Sequence, residues 1–138
     1  MSAVAAASLT LAFSGATAMA ASAPTMKVTP SSGLSDGATV SVTGAGFAKN
    51  TPVFLAECAQ VKGGTVVCNS HDVKVVATTA DGKIPSTSLT VRKTFKGYTP
   101  DHKLWGTVDC STTPNGCVIG AATDKAPAGA RTAITFKK

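Results

Sequence analysis

Polar and apolar residues alternate one by one through most of this chain, and the alternation is cut by Gly, Pro, Asn or Asp about every 8 to 12 residues. Successive side chains of a strand point to opposite faces, so alternation marks half-buried strands. No stretch sustains a helical period. The pattern predicts an all-β chain folded as an antiparallel sandwich. Strands are expected over Thr25–Thr29, Ala38–Thr43, Val53–Val61, Thr65–Cys68, Val73–Thr78, Thr87–Arg92, Leu104–Cys110, Cys117–Ala121 and Thr132–Phe136. The first should be an edge strand, because Pro30 closes it and cannot donate to a ladder. In the longest run, Phe54, Ala56, Cys58 and Gln60 fall on one face and Val53, Leu55, Glu57 and Ala59 on the other.

Residues 87–110 are the centre of this organisation. They read as a strand, a protruding loop and a second strand ending on a cysteine. Thr87, Leu89 and Val91 share one face, and Trp105, the only tryptophan, sits in the second half. The loop carries Phe95, Tyr98, Arg92, Lys93, Lys96 and Lys103 around Gly97 and Pro100, a mixture of aromatic and cationic groups suited to a contact surface. Phe95 and Trp105 are expected to pack in the core or under the loop, as large aromatics mostly bury.

Residues 1–20 stand apart. They contain no charge, are rich in Ala, Leu and Val, and end in Ala18-Met19-Ala20, a small-x-small pattern. This reads as a secretory signal peptide without a basic leading segment, followed by one domain over residues 21–138. A secreted, extracellular and monomeric product is expected, with no membrane insertion. All four cysteines, Cys58, Cys68, Cys110 and Cys117, lie in that domain. An even count in an oxidising compartment predicts two disulfides, with three pairings open. A zinc site needs closer ligand spacing and reduced thiolates, so no metal is expected.

The net charge is +6, which favours anionic partners such as nucleic acid or cell-surface polymer, although scattered lysines also serve solubility. Catalytic chemistry is thin. His71 beside Asp72 and His102 beside Asp101 are neighbours in sequence, which on a strand places them on opposite faces. No Ser or Cys sits in a recognisable nucleophile motif, and no phosphate loop or dinucleotide fingerprint occurs. No catalytic residue is assigned and the chain is not expected to be an enzyme.

Three segments together carry a resemblance: VTPSSGLSDGATVSVTGAGF (28–47), ECAQVKGGTVVCN (57–69), and STSLTVRKTFKGY followed by WGTVDC within 86–110. They resemble the enediyne antitumour antibiotic chromoprotein apoproteins, the neocarzinostatin-like family, over nearly the whole of residues 23–136. The resemblance implies a seven-stranded immunoglobulin-like antiparallel sandwich with a small two-stranded hairpin ribbon, the two forming a ligand cleft. In that family the cleft holds a labile, apolar enediyne-type chromophore without covalent attachment, shields it and releases it to cut DNA, which gives antibiotic and antitumour activity. The implied disulfides are Cys58 to Cys68 and Cys110 to Cys117. By position, the implied cleft residues are Phe54, Ala56, Cys58, Gln60, Val66, Cys68, Val73, Tyr98, Pro100, Val118 and Ala122. This chain departs from the family pattern in carrying Gln60, Val73 and Pro100 where aromatic residues occur, and in being basic where the family is mostly acidic. A competing expectation is an immunoglobulin-like interaction module without a chromophore, whose Arg92, Lys93, Lys96 and Lys103 contact DNA or another polyanion.

Overall fold

The computed structural model describes residues 23–125 and 129–138; the expected signal peptide lies outside them. Ten strands follow one another: β1 (Thr25–Thr29), β2 (Thr39–Ala45), β3 (Pro52–Gln60), β4 (Val66–Asn69), β5 (Lys74–Ala77), β6 (Ile84–Thr90), β7 (Thr94–Tyr98), β8 (Leu104–Asp109), β9 (Cys117–Ala122) and β10 (Ala130–Ile134). Among the described residues there is no helix. β1, β2 and β6 form a three-stranded sheet, in which β1 is an edge as its proline predicts. The seven-stranded sheet runs β10-β9-β3-β4-β7-β8, and β5 joins it by pairing with β3. All strand pairs are antiparallel.

Alternation fixes which side chains meet between the layers. Val40, Val42 and Leu89 of the small sheet pack against Val53, Leu55, Val67, Val108, Ile119 and Ile134 of the large one, each almost fully buried. The phase read from the sequence for β2, β3 and β6 is the phase observed. β3 is the spine of the large sheet: one edge pairs with β9, while the other is shared by β5 along Pro52–Leu55 and by β4 along Cys58–Gln60. The β3–β4 hairpin is continuous with this sheet, because β4 pairs in turn with β7.

Two expectations are corrected. The segment 94–98 is strand β7, inserted between β4 and β8, and not a protruding loop. Its core side consists of Phe95 and Gly97, and a Cβ on Gly97 would lie 2.8 Å from methyls of Val67 and Val108. The neighbours' valines fill the space, so the strand needs little apolar sequence of its own. Trp105 is 46% exposed and not in the core. The register of β7 and β8 shifts between Gly97 and Tyr98, and Gly106 takes φ +147. This bulge breaks the alternation and leaves both Leu104 and Trp105 on the outside.

Both disulfides join the pairs implied by the resemblance, Cys58–Cys68 and Cys110–Cys117. The first links residues directly opposite on β3 and β4; the second ties the end of β8 to the start of β9. Closing such short loops stabilises by roughly 2 to 3 kcal/mol in the chain-entropy account. Replacing Cys110 and Cys117 together by Ala is therefore expected to lower unfolding free energy by about that amount in urea titration. A loss below about 0.5 kcal/mol would mean that the reduced chain is already held there by its β8–β9 surroundings.

Candidate functional site

The outer face of the seven-stranded sheet is hollow where β9, β3 and β4 run side by side, and the register explains why. Directly opposed residues of an antiparallel pair share a face. Ala56 of β3 stands opposite Gly120 of β9, and Gly120 opposite Arg131 of β10. One row along, Cys58 is flanked by Val118 and Cys68; in the other direction, Phe54 is flanked by Ala122 and Val75. Small side chains at Ala56 and Gly120 leave a depression, and the Cys58–Cys68 disulfide and Phe54 rise on either side of it. The result is a cleft of about 770 Å³, within the range of small-molecule sites.

Of the residues assigned by resemblance, Phe54, Ala56, Cys58, Gln60, Val66, Cys68, Val73, Val118 and Ala122 line this cleft. Phe54 is 52% exposed, an aromatic face left open to the hollow. Gln60 turns its amide back on its own hairpin, donating from Nε2 to the Gly64 carbonyl at 3.2 Å. Tyr98 is set one strand further out, opposite Cys68, and borders a separate hollow. Pro100 lines neither. The sequence reading missed Gly120, Asn115, Thr123 and Arg131 in the lining. Gly120 was legible, being in phase with Val118 and Ala122. Arg131 was not, because β10 begins two residues earlier than its apolar pattern suggests.

The second hollow, about 340 Å³, lies beside β4 and β7 and is bordered by Asn69, His71, Asp72, Arg92, Lys96 and Tyr98, among others. Asp72 organises it: its carboxylate accepts from Asn69 Nδ2 at 2.9 Å and from Arg92 Nε at 3.2 Å. Partial burial pushes the Asp72 pKa up, but these two donors outweigh burial and hold it below the ordinary value. Of the four cations assigned to polyanion contact, Arg92 and Lys96 border this hollow. Lys93 and Lys103 do not; the Lys93 amide is instead bonded to Asp36 on the small-sheet side.

Behind the cleft floor lies a titratable residue in the core. Glu57 sits between Ala56 and Cys58 on β3, faces inward and is only 2% exposed. Oε1 accepts the Arg92 backbone N–H at 2.7 Å, and Oε2 lies 3.4 Å from Cys110 Sγ. Burial pushes its pKa up to about 8; the Arg92 amide lowers it, and the charges of Asp72 and Asp36 raise it. Glu57, Cys110 and Cys117 bring three potential ligand atoms within 4.8 Å. The two sulfurs are bonded to each other, so no thiolate is available there for a metal.

A sandwich with an open, mainly apolar cleft, lined among the described residues by neither a carboxylate nor a histidine, has the architecture of a small-molecule binding protein. The chain belongs to the Neocarzinostatin family, whose sequence model matches residues 26–136. It is 41% identical to actinoxanthin of Streptomyces globisporus over 133 residues, covering 96% of this chain and 89% of that one. The same identity and coverage relate it to the antitumor antibiotic C-1027 apoprotein of that organism. Among solved structures, macromomycin superposes with a TM-score of 0.76 at 36% identity, over 83% of this chain and all of the other.

Proposed function

We propose that this protein is a secreted, non-enzymatic apoprotein that binds a labile, apolar, enediyne-type chromophore in the cleft over Ala56 and Gly120, protects it and releases it near DNA. The observation carrying this reading is the 770 Å³ cleft itself, with Phe54 half exposed on one side of its floor and the Cys58–Cys68 disulfide on the other. When bound, the chromophore supplies the DNA-cleaving chemistry. The residues of this chain supply burial and orientation. Ala56 and Gly120 admit a flat molecule close to the sheet. Phe54, Val66 and Val118 cover its faces and edges, with apolar burial contributing about 25 cal/mol per Å² removed from water. Water is excluded by the same contacts, which is what a reactive polyunsaturated group requires. Among the described residues the lining offers no carboxylate, histidine, lysine or free thiol to react with the cargo.

The direct test is an absorption and mass spectrum of protein purified in the dark from its native culture medium. The expected result is a near-ultraviolet band beyond that of Trp105 and Tyr98, together with an extractable small mass. A spectrum with only protein absorption at the polypeptide mass, coupled with no binding of flat apolar aromatics at micromolar concentration, would remove the carrier reading.

One observation favours a second reading. Arg92, already paired with Asp72, and Lys96 border one hollow beside Tyr98, two cations and a ring able to meet a phosphodiester and a base. Direct DNA contact of this kind must weaken steeply with salt. Lack of binding to a short duplex or single strand at low ionic strength eliminates it.

A further inference from the structure

The cleft is apolar but not neutral. Among its described lining residues one is charged, Arg131, and none is acidic. Its place follows from register: Arg131 on β10, Gly120 on β9 and Ala56 on β3 form one row across the outer face of the sheet. Between the guanidinium-bearing residue and the middle of the floor, no side chain is larger than a methyl. Arg131 is exposed and, among the described residues, takes part in no ion pair or side-chain hydrogen bond. Arg92, by contrast, is tied to Asp72. The remaining polar side chains of the cleft, Gln60, Asn115 and Thr123, are neutral.

A guanidinium presents several N–H donors in a planar fork and no acceptor. Beside a dry floor, such a group rewards an occupant that brings a carboxylate, sulfate or phenolate, since charge-assisted bonds are stronger where water is partly removed. An ammonium group at the same edge meets repulsion from Arg131 and from a chain of net charge +6, with no lining carboxylate to offset it. Resting on the carrier reading above, we infer that the cleft selects, among flat apolar ligands, those bearing an anionic group at the β10 edge, and that Arg131 is the residue that recognises it.

Three probes sharing one flat aromatic body separate this from the carrier reading: pyrene-1-butyrate, pyrene-1-butanol and pyrene-1-butylamine. Each is titrated by fluorescence at neutral pH and low salt. The carboxylate is expected to bind about tenfold more tightly than the alcohol, as one charge-assisted interaction at a partly solvated edge would give, and the amine more weakly than either. Arg131→Gln should abolish the carboxylate's advantage and leave the alcohol's affinity unchanged. Arg131→Lys should keep part of it, as a point charge without the fork. Lys49→Gln, the same charge change in a turn away from the cleft, should leave the preference intact. Because Arg131 is exposed, its variants are expected to unfold at the wild-type temperature. Equal affinity for carboxylate and alcohol, or a preference that survives Arg131→Gln, overturns the inference while leaving the carrier reading standing. Binding of none of the three probes overturns both.

Discussion

Between pH 5 and pH 8 the protein is expected to lose a few kcal/mol of stability, and the Glu57→Gln variant to lose much less. Glu57 releases its proton near its ordinary value of 4.5 when unfolded, but only at about 8 when folded. Between those limits the folded state holds a proton that the unfolded state has lost, so stability falls as pH rises and levels off above the folded value. Each tenfold change in proton affinity is worth about 1.4 kcal/mol, which sets a ceiling of roughly 5 kcal/mol for the whole interval. The cause is geometric: Oε1 has one backbone donor, and Oε2 faces a disulfide sulfur that can donate nothing. The protonated form needs no further donor, whereas the anion would face Asp72 and Asp36 with too little solvation. Glutamine keeps the acceptor for the Arg92 amide and carries no charge. Urea titrations of both proteins at pH 5, 7 and 9 would measure this. Parallel stability profiles for wild type and variant would show that Glu57 ionises without cost and that its burial is relieved by local opening. The acid side has the opposite sign. Hydrogen bonds from Ser111 hold Asp109 below its ordinary value, as Arg92 and Asn69 do for Asp72 once burial is outweighed. Their contribution is lost as pH falls below the ordinary carboxylate range, so maximum stability is expected in mildly acidic solution.

The sandwich was legible because its informative residues are local. Val40, Val42, Val53, Leu55 and Leu89 declare their faces by alternation alone, and the cleft-facing set of β3 follows by exclusion. The inward position of Glu57 was legible too, since it shares a phase with Leu55; its burial was not, because that depends on β6, β7 and the second disulfide closing over it. Strand β7 was hidden for a related reason. Its inward side is Phe95 and a glycine whose space belongs to Val67 and Val108, so the apolar half of its pattern is written in other strands. Trp105 misled because a bulge between β7 and β8 turns it outward; the one signal of it within Leu104–Cys110 is Gly106, which takes φ +147. The β3, β4 and β9 residues assigned by resemblance line one cleft, where strand phase and the disulfide anchor them; Tyr98 and Pro100, whose places depend on where β7 is inserted, lie outside that lining.

Gly120→Leu is expected to weaken binding of flat aromatic ligands by at least about 100-fold, equivalent to some 3 kcal/mol, while leaving the fold intact. The contrast between two strand glycines explains why. A Cβ at Gly97 would press into Val67 and Val108 at 2.8 Å, so any side chain there disrupts the core. A Cβ at Gly120 would meet only the Ala56 carbonyl oxygen and Cys58 Sγ, both at 3.9 Å, an ordinary contact distance, and its backbone is not left-handed. The backbone of β9 therefore accepts a larger residue, and an interior strand glycine gains from replacement through lower chain entropy. Exposing an apolar isobutyl group offsets that gain, so unfolding free energy should change by less than about 1 kcal/mol. The side chain itself projects from the middle of the row Arg131–Gly120–Ala56, on the surface a flat ligand must lie against. Contact with the floor is then lost over the whole ligand, not at one edge. Fluorescence titration with pyrene-1-butanol alongside a thermal melt separates the outcomes. Unchanged affinity with an unchanged melt would place the ligand away from the floor and remove the cleft as its site. Should the melt show that leucine is not tolerated, Gly120→Ala adds a single methyl at the same 3.9 Å contacts; it is expected to preserve the fold and weaken binding several-fold, and wild-type affinity in that variant would count equally against the floor.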